Sequence, residues 1–161
     1  MKTNITARMT RERWILLVVI FLLACSEKKE NPPVTDPCLI NGYYLRATLA
    51  NDSWCANTTL FTDLAIVMTI NGISSNGASM TLELDDVTVG TFSITEDRNH
   101  ILYTNSLGVA YRSTNDNPGS LIIQSNDTSA NIIQGSFNVT LRNPMAGNLP
   151  ASGSFRLFYS E

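Results

Sequence analysis

Lysine is absent from residue 30 onward, and beyond Cys38 only five cations (Arg46, Arg98, Arg112, Arg142 and Arg156) face ten acids. The balance there is five minus ten, a net of −5, against a formal −3 for all 161 residues. No basic patch remains to displace counterions from a phosphate backbone, which excludes nucleic-acid binding. Histidine occurs once, at His100. One imidazole and the few thiols of this chain do not make a zinc site, and a hydrolytic triad lacks its Gly-x-Ser-x-Gly elbow. The acidic turns Asp85-Asp86, Glu96-Asp97 and Asn115-Asp116-Asn117 offer oxygen atoms without the spacing of a calcium loop. No cofactor and no metal are expected. Nor is there an apolar run of the ~20 residues that a membrane-crossing helix needs, and past residue 24 no helical apolar stripe appears.

What is present begins with a leader. Residues 1–13 are basic, and an apolar run from Trp14 closes with Leu22-Leu23-Ala24-Cys25 before the charged stretch Ser26-Glu27-Lys28-Lys29-Glu30. The order of basic, apolar and small residues is that of a secretory signal peptide. Its ending resembles the lipobox of bacterial lipoproteins, in which Leu22, Leu23 and Ala24 are read by the signal peptidase and the Cys25 thiol receives a diacylglycerol. Several acyl chains at ~0.8 kcal/mol per buried methylene give an effectively permanent anchor. By the same resemblance Ser26, which is not the retention aspartate, implies carriage to the outer membrane, facing either the periplasm or the cell surface. Residues 1–24 are therefore expected to be removed and 25–37, rich in Pro and polar residues, to form a tether. Residues 38–161 remain as one domain of common size. Cys38 and Cys55 are then the only free thiols, and in an oxidising compartment an even pair predicts a disulfide of structural role.

Alternation dominates the domain. Tyr43, Leu45, Ala47 and Leu49 share one strand face, and Asn51-Asp52-Ser53 turns the chain into Trp54-Cys55. Leu64, Ile66, Met68 and Ile70 predict a strand, joined through Asn71-Gly72 and Asn76-Gly77 to a partner with Met80, Leu82 and Leu84. Further strands are expected near 90–94, 101–104, 109–112, 121–123, 131–141 and 151–159, and the continuous run Leu121-Ile122-Ile123 suggests burial on both faces. The pattern predicts an all-β antiparallel fold of roughly eight to ten short strands, a β-sandwich or alternatively a closed or partly open, lipocalin-like barrel. Gly90-Thr91-Phe92, Gly135-Ser136-Phe137 and Gly153-Ser154-Phe155 repeat one spacing, with each glycine leaving room on its face for a bulky neighbour.

The succession of Ala47–Trp54, Gly-Thr-Phe, Val-Ala-Tyr, Gly-Ser-Leu-Ile-Ile and paired Gly-Ser-Phe segments resembles a family of small Bacteroidota lipoproteins built on a domain of unknown function. The resemblance implies a lipid-anchored all-β domain with no catalytic residues to carry over.

Two further groups could carry chemistry. Glu83 and Asp85 share a strand face roughly 7 Å apart, near the separation of an inverting glycosidase pair, but a solvated face yields the same spacing. Tyr43, Tyr44, Tyr103, Tyr111 and Tyr159 fall on both faces of their strands, so some can meet a glycan or a protein partner in the envelope. The expectation is a non-enzymatic binding or structural envelope domain, held to a membrane through Cys25. A lipocalin-like binder of a small apolar ligand and an envelope glycosidase are the alternatives.

Overall fold

The structure, a computed structural model, describes residues 36–64 and 67–159. These hold eleven strands: β1 (Tyr44–Leu49), β2 (Asp52–Cys55), β3 (Thr59–Leu64), β4 (Met68–Ile73), β5 (Ser79–Leu84), β6 (Gly90–Ile94), β7 (Ile101–Thr104), β8 (Ala110–Arg112), β9 (Gly119–Asp127), β10 (Ile132–Asn143) and β11 (Gly147–Phe158). All pair antiparallel in one sheet of order β2-β1-β11-β10-β8-β7-β5-β4-β3. The sheet forks at β10, whose residues 132–138 pair with β9 while Arg142 meets β8; β6 lies beyond β9.

The two ends of that order are consecutive in the chain. Ala56 N–H donates to Leu45 O in β1 (3.0 Å), and two residues later Thr58 N–H donates to Ile73 O in β4 (3.1 Å). Residues 56–58 thus hand the ladder from one end of the sheet to the other. The result is a single sheet curled into a half-barrel, the second of the two architectures that alternation allows, rather than two stacked layers. Among the described residues no layer covers its outer surface: across β1, β11, β10, β9 and β6 one registered row reads Thr48, Ser152, Asn138, Ser120 and Ser93. For the same reason Ile122 points outward, 42% exposed, between the fully buried Leu121 and Ile123. The apolar run at 121–123 therefore alternates instead of being buried on both faces.

The concave side is filled. Leu45, Met68, Ile70, Met80, Leu82 and Phe155 have no exposed surface. Close approach between facing strands explains why Asn71-Gly72 lies inside β4 and not in a loop. A Cβ on Gly72 would stand 2.7 Å from Ala56 Cβ and 3.0 Å from Leu45 Cδ2, so only glycine admits that crossing. The turn of the expected hairpin falls later, at Ser74–Ala78, and the strand expected over 64–70 divides between β3, which ends at Leu64, and β4, which begins at Met68. The glycine–phenylalanine repeats do serve packing. Gly135 is registered against Phe155 and Gly153 against Phe137, so each ring lies over the other motif's glycine. At the third repeat, Phe92 covers its own Gly90.

Candidate functional site

The sheet order, which is not the chain order, brings every third connection to one end of the sheet. The turns β1–β2, β4–β5, β7–β8 and β10–β11 gather there, opposite the end where the chain enters β1 at Tyr44. Two of them are built alike. In Ser74–Ala78 the Asn76 Oδ1 accepts from Ser74 Oγ and from Ala78 N (3.0 Å), with Gly77 at φ +83°. In Asn105–Val109 the Asn105 Oδ1 accepts from Leu107 N (3.0 Å) and Val109 N (2.9 Å), with Gly108 at φ +81°. Each amide oxygen is committed to its own turn, a role asparagine fills because its side chain mimics a backbone acceptor.

Between these turns lies a pocket of about 380 Å³. Leu49, Asp52, Ser53 and Trp54 come from β1–β2, Asn76 from β4–β5, Tyr103, Asn105 and Tyr111 from β7–β8, and Leu149 from β11. Its wall is aromatic: Trp54 and Tyr103 meet edge to face at 6.3 Å between centroids, and Tyr103 and Tyr111 are tilted at the same 6.3 Å. Trp54 and Tyr103 are largely buried while Tyr111 is half-buried, so Tyr111 contributes the most accessible ring. Trp54 Nε1 is buried with no hydrogen-bond partner among the described residues, an uncommon state for an indole donor. Asp52 is the one charged residue of the lining. Burial raises the Tyr103 pKa above the ordinary phenol value, and the neighbouring Tyr111 and the Asp52 carboxylate add to the rise.

A shallower groove of about 360 Å³ runs along the outer face of β1, β2 and β11 beside the disulfide, among Arg46, Thr48, Ser53, Ser152 and Ser154. Arg46 there lies over the Tyr44 ring at 4.5 Å and reaches Asp36 at 3.9 Å, so its charge is engaged locally.

The residues singled out by the sequence fall in several places. Cys38 and Cys55 are joined in a disulfide across 17 residues, with Cα atoms 5.6 Å apart. It ties the entry segment to the end of β2. Leu22, Leu23, Ala24 and Cys25 lie outside the described residues. Glu83 and Asp85 are exposed, and neither lines the aromatic pocket. Asp85 Oδ2 accepts from Asn99 N (2.9 Å) while Asn99 Oδ1 accepts from Asp85 N (3.1 Å), a reciprocal clasp between two loops. Among the described residues no cluster of three or more His, Cys, Asp or Glu is placed to hold a metal.

His100 does meet a serine. Its Nδ1 lies 2.9 Å from Ser113 Oγ, which also accepts from Ile101 N (3.1 Å) and donates to Thr95 O (2.7 Å). A hydroxyl has one proton and two lone pairs, so with Nδ1 protonated Ser113 is saturated. It is also fully buried. The pair therefore fastens the corner between β6–β7 and β8–β9, with no nucleophile to spare. Sequence reasoning missed this contact because 13 residues and two strands separate the partners.

Comparison with known families adds one result. The family described as a domain of unknown function, DUF6252, matches residues 41–156. The chain belongs to the DUF6252 family. The matched span runs from the turn before β1 into β11, so the DUF6252 domain contains every residue that lines the pocket. No curated protein and no solved structure matches the chain.

Proposed function

We propose that this DUF6252 chain is a lipid-anchored envelope protein of the Bacteroidota type, attached to the outer membrane through acyl chains on Cys25. Its β domain works by binding, without catalysis, through the pocket at the turn end. The observation that carries the reading is the placement of that pocket. The β1–β2, β4–β5 and β7–β8 hairpins, with Leu149 of β11, converge on an aromatic-walled cavity at the end of β1 opposite the chain entry at Tyr44. Five strand steps of ~3.3 Å put the two ends of β1 roughly 16 Å apart. An anchor that joins the domain at the entry end leaves the pocket directed away from the point of attachment. The filled concave face counts against a ligand buried in the centre of the sheet, so the mouth is the seat.

The experiment is fractionation of cells expressing the wild-type chain and Cys25→Ser. The reading predicts wild-type protein in the membrane pellet after an alkaline wash and the variant in the soluble fraction, folded and with its disulfide intact. A variant that stays in the pellet overturns the anchor.

A further inference from the structure

The turn-end pocket has a donor and acceptor pattern that selects among ligand chemistries, and the choice of a ligand rests on the proposal that the domain binds through this pocket. Asn76 and Asn105 have committed their amide oxygens to their own turns. What each has left to offer a ligand is Nδ2, a donor with two hydrogens. Asp52 supplies the opposite, a carboxylate that only accepts. Between them stand the rings of Trp54, Tyr103 and Tyr111.

Three classes of small ligand can be weighed against that pattern. An anion suits the amide donors but meets Asp52, and no cation lines the pocket to offset the repulsion. An organic cation suits Asp52 and the rings, yet offers no acceptor for either amide. A purely apolar ligand would bury Asp52 and both amides without partners, at a desolvation cost for each. A neutral ring carrying several hydroxyls meets every demand. Its O–H groups donate to Asp52, its oxygens accept from the two amides, and its C–H face covers an aromatic ring. The volume, about 380 Å³, suits one or two sugar rings.

We infer that the pocket formed by Asp52, Trp54, Asn76, Tyr103, Asn105 and Tyr111 binds a neutral carbohydrate, with Tyr111 as the stacking surface and Asp52 as the hydroxyl acceptor. The ring of Tyr111 is the accessible one, so its removal takes away stacking area without opening the buried Trp54–Tyr103 contact.

The test is isothermal titration calorimetry on the full chain purified from membranes in a polyoxyethylene detergent, which contains no sugar. The probes are neutral mono- and disaccharides (glucose, galactose, mannose, N-acetylglucosamine, maltose, cellobiose), with choline as the cationic comparison. The expected result is saturable binding of at least one sugar, weakened tenfold or more by Tyr111→Ala and by Asp52→Ala. Ile122→Ser, on the opposite surface of the sheet, should leave it unchanged. Circular dichroism of each variant checks that the fold survives; if Tyr111→Ala unfolds, Tyr111→Leu removes the ring while keeping apolar bulk. Choline binding without sugar binding overturns the ligand class and leaves the pocket as a binding site. Sugar binding untouched by both pocket variants overturns the placement. No binding of any probe overturns the inference, and the binding role of the pocket with it.

Discussion

Gly153→Ala puts the reciprocal glycine–ring packing to a quantitative test. By local preference alone the change should help, because glycine in a strand interior costs about 0.5–1 kcal/mol relative to alanine. The surroundings decide otherwise. The new Cβ would stand 2.4 Å from Phe137 Cζ and 2.5 Å from Arg46 O. Contact between such atoms is comfortable at about 3.5–4.0 Å, so roughly 1 Å must be found. Phe137 is 3% exposed and has no space to withdraw into, while Arg46 O belongs to the backbone of β1. Overpacking of this kind costs typically 1–3 kcal/mol, near the upper end where backbone must move, and the gain in propensity offsets part of it. The net loss is about 2 kcal/mol, or roughly 8 °C in Tm for a domain of this size. The comparison is Gly90→Ala, whose Cβ meets only the end of the half-buried Phe92 ring at 3.2 Å. That change should stay within about 0.5 kcal/mol of wild type. Urea unfolding followed by circular dichroism gives both values. A Gly153→Ala variant as stable as wild type, or more so, would refute the packing argument.

Other consequences can be checked alongside. Breaking the Cys38–Cys55 disulfide by a double Ser substitution should cost about 3 kcal/mol from the entropy of a loop of this size, measured by the same unfolding experiment. Ser113→Ala leaves Ile101 N–H without its side-chain acceptor and frees the His100 Nδ1 contact in a buried corner, so a loss of about 1–3 kcal/mol is expected. The raised Tyr103 pKa has a definite sign. The unfolded phenol ionises first, so the stability tied to the neutral hydroxyl is whole below roughly pH 10 and is lost as pH climbs through the higher folded value. Tyr103→Phe should flatten that alkaline decline relative to wild type; an unchanged slope in urea midpoint against pH would count against it.

Much of the architecture was legible because strand periodicity is local. Leu45, Ala47 and Leu49 are buried on one face as their alternation requires, and the hairpin between β4 and β5 closes on Asn76-Gly77. The choice between sandwich and half-barrel was not legible. It depends on residues 56–58 carrying the ladder from β1 to β4, and no periodic signal marks that hand-over. Gly72 misled for a related reason: as a dipeptide Asn71-Gly72 favours a turn, while the close crossing of Ala56 requires glycine within a strand. The disulfide could be anticipated from the cysteine count and the oxidising compartment that the leader predicts. The pocket could not. Trp54, Tyr103 and Tyr111 each drew attention as aromatics, but three hairpins and β11 bring the lining together, and that convergence is a property of the curled sheet rather than of any stretch of sequence.

The central claim, a binding domain held to a membrane by one modified cysteine, is tested most directly by mass spectrometry of the amino-terminal peptide of the chain recovered from cell membranes. The account predicts a peptide that begins at Cys25 and carries thioether-linked diacylglycerol, with a further acyl chain on its amino group. A chain that begins at any other residue, or one with a free thiol at Cys25, would contradict it.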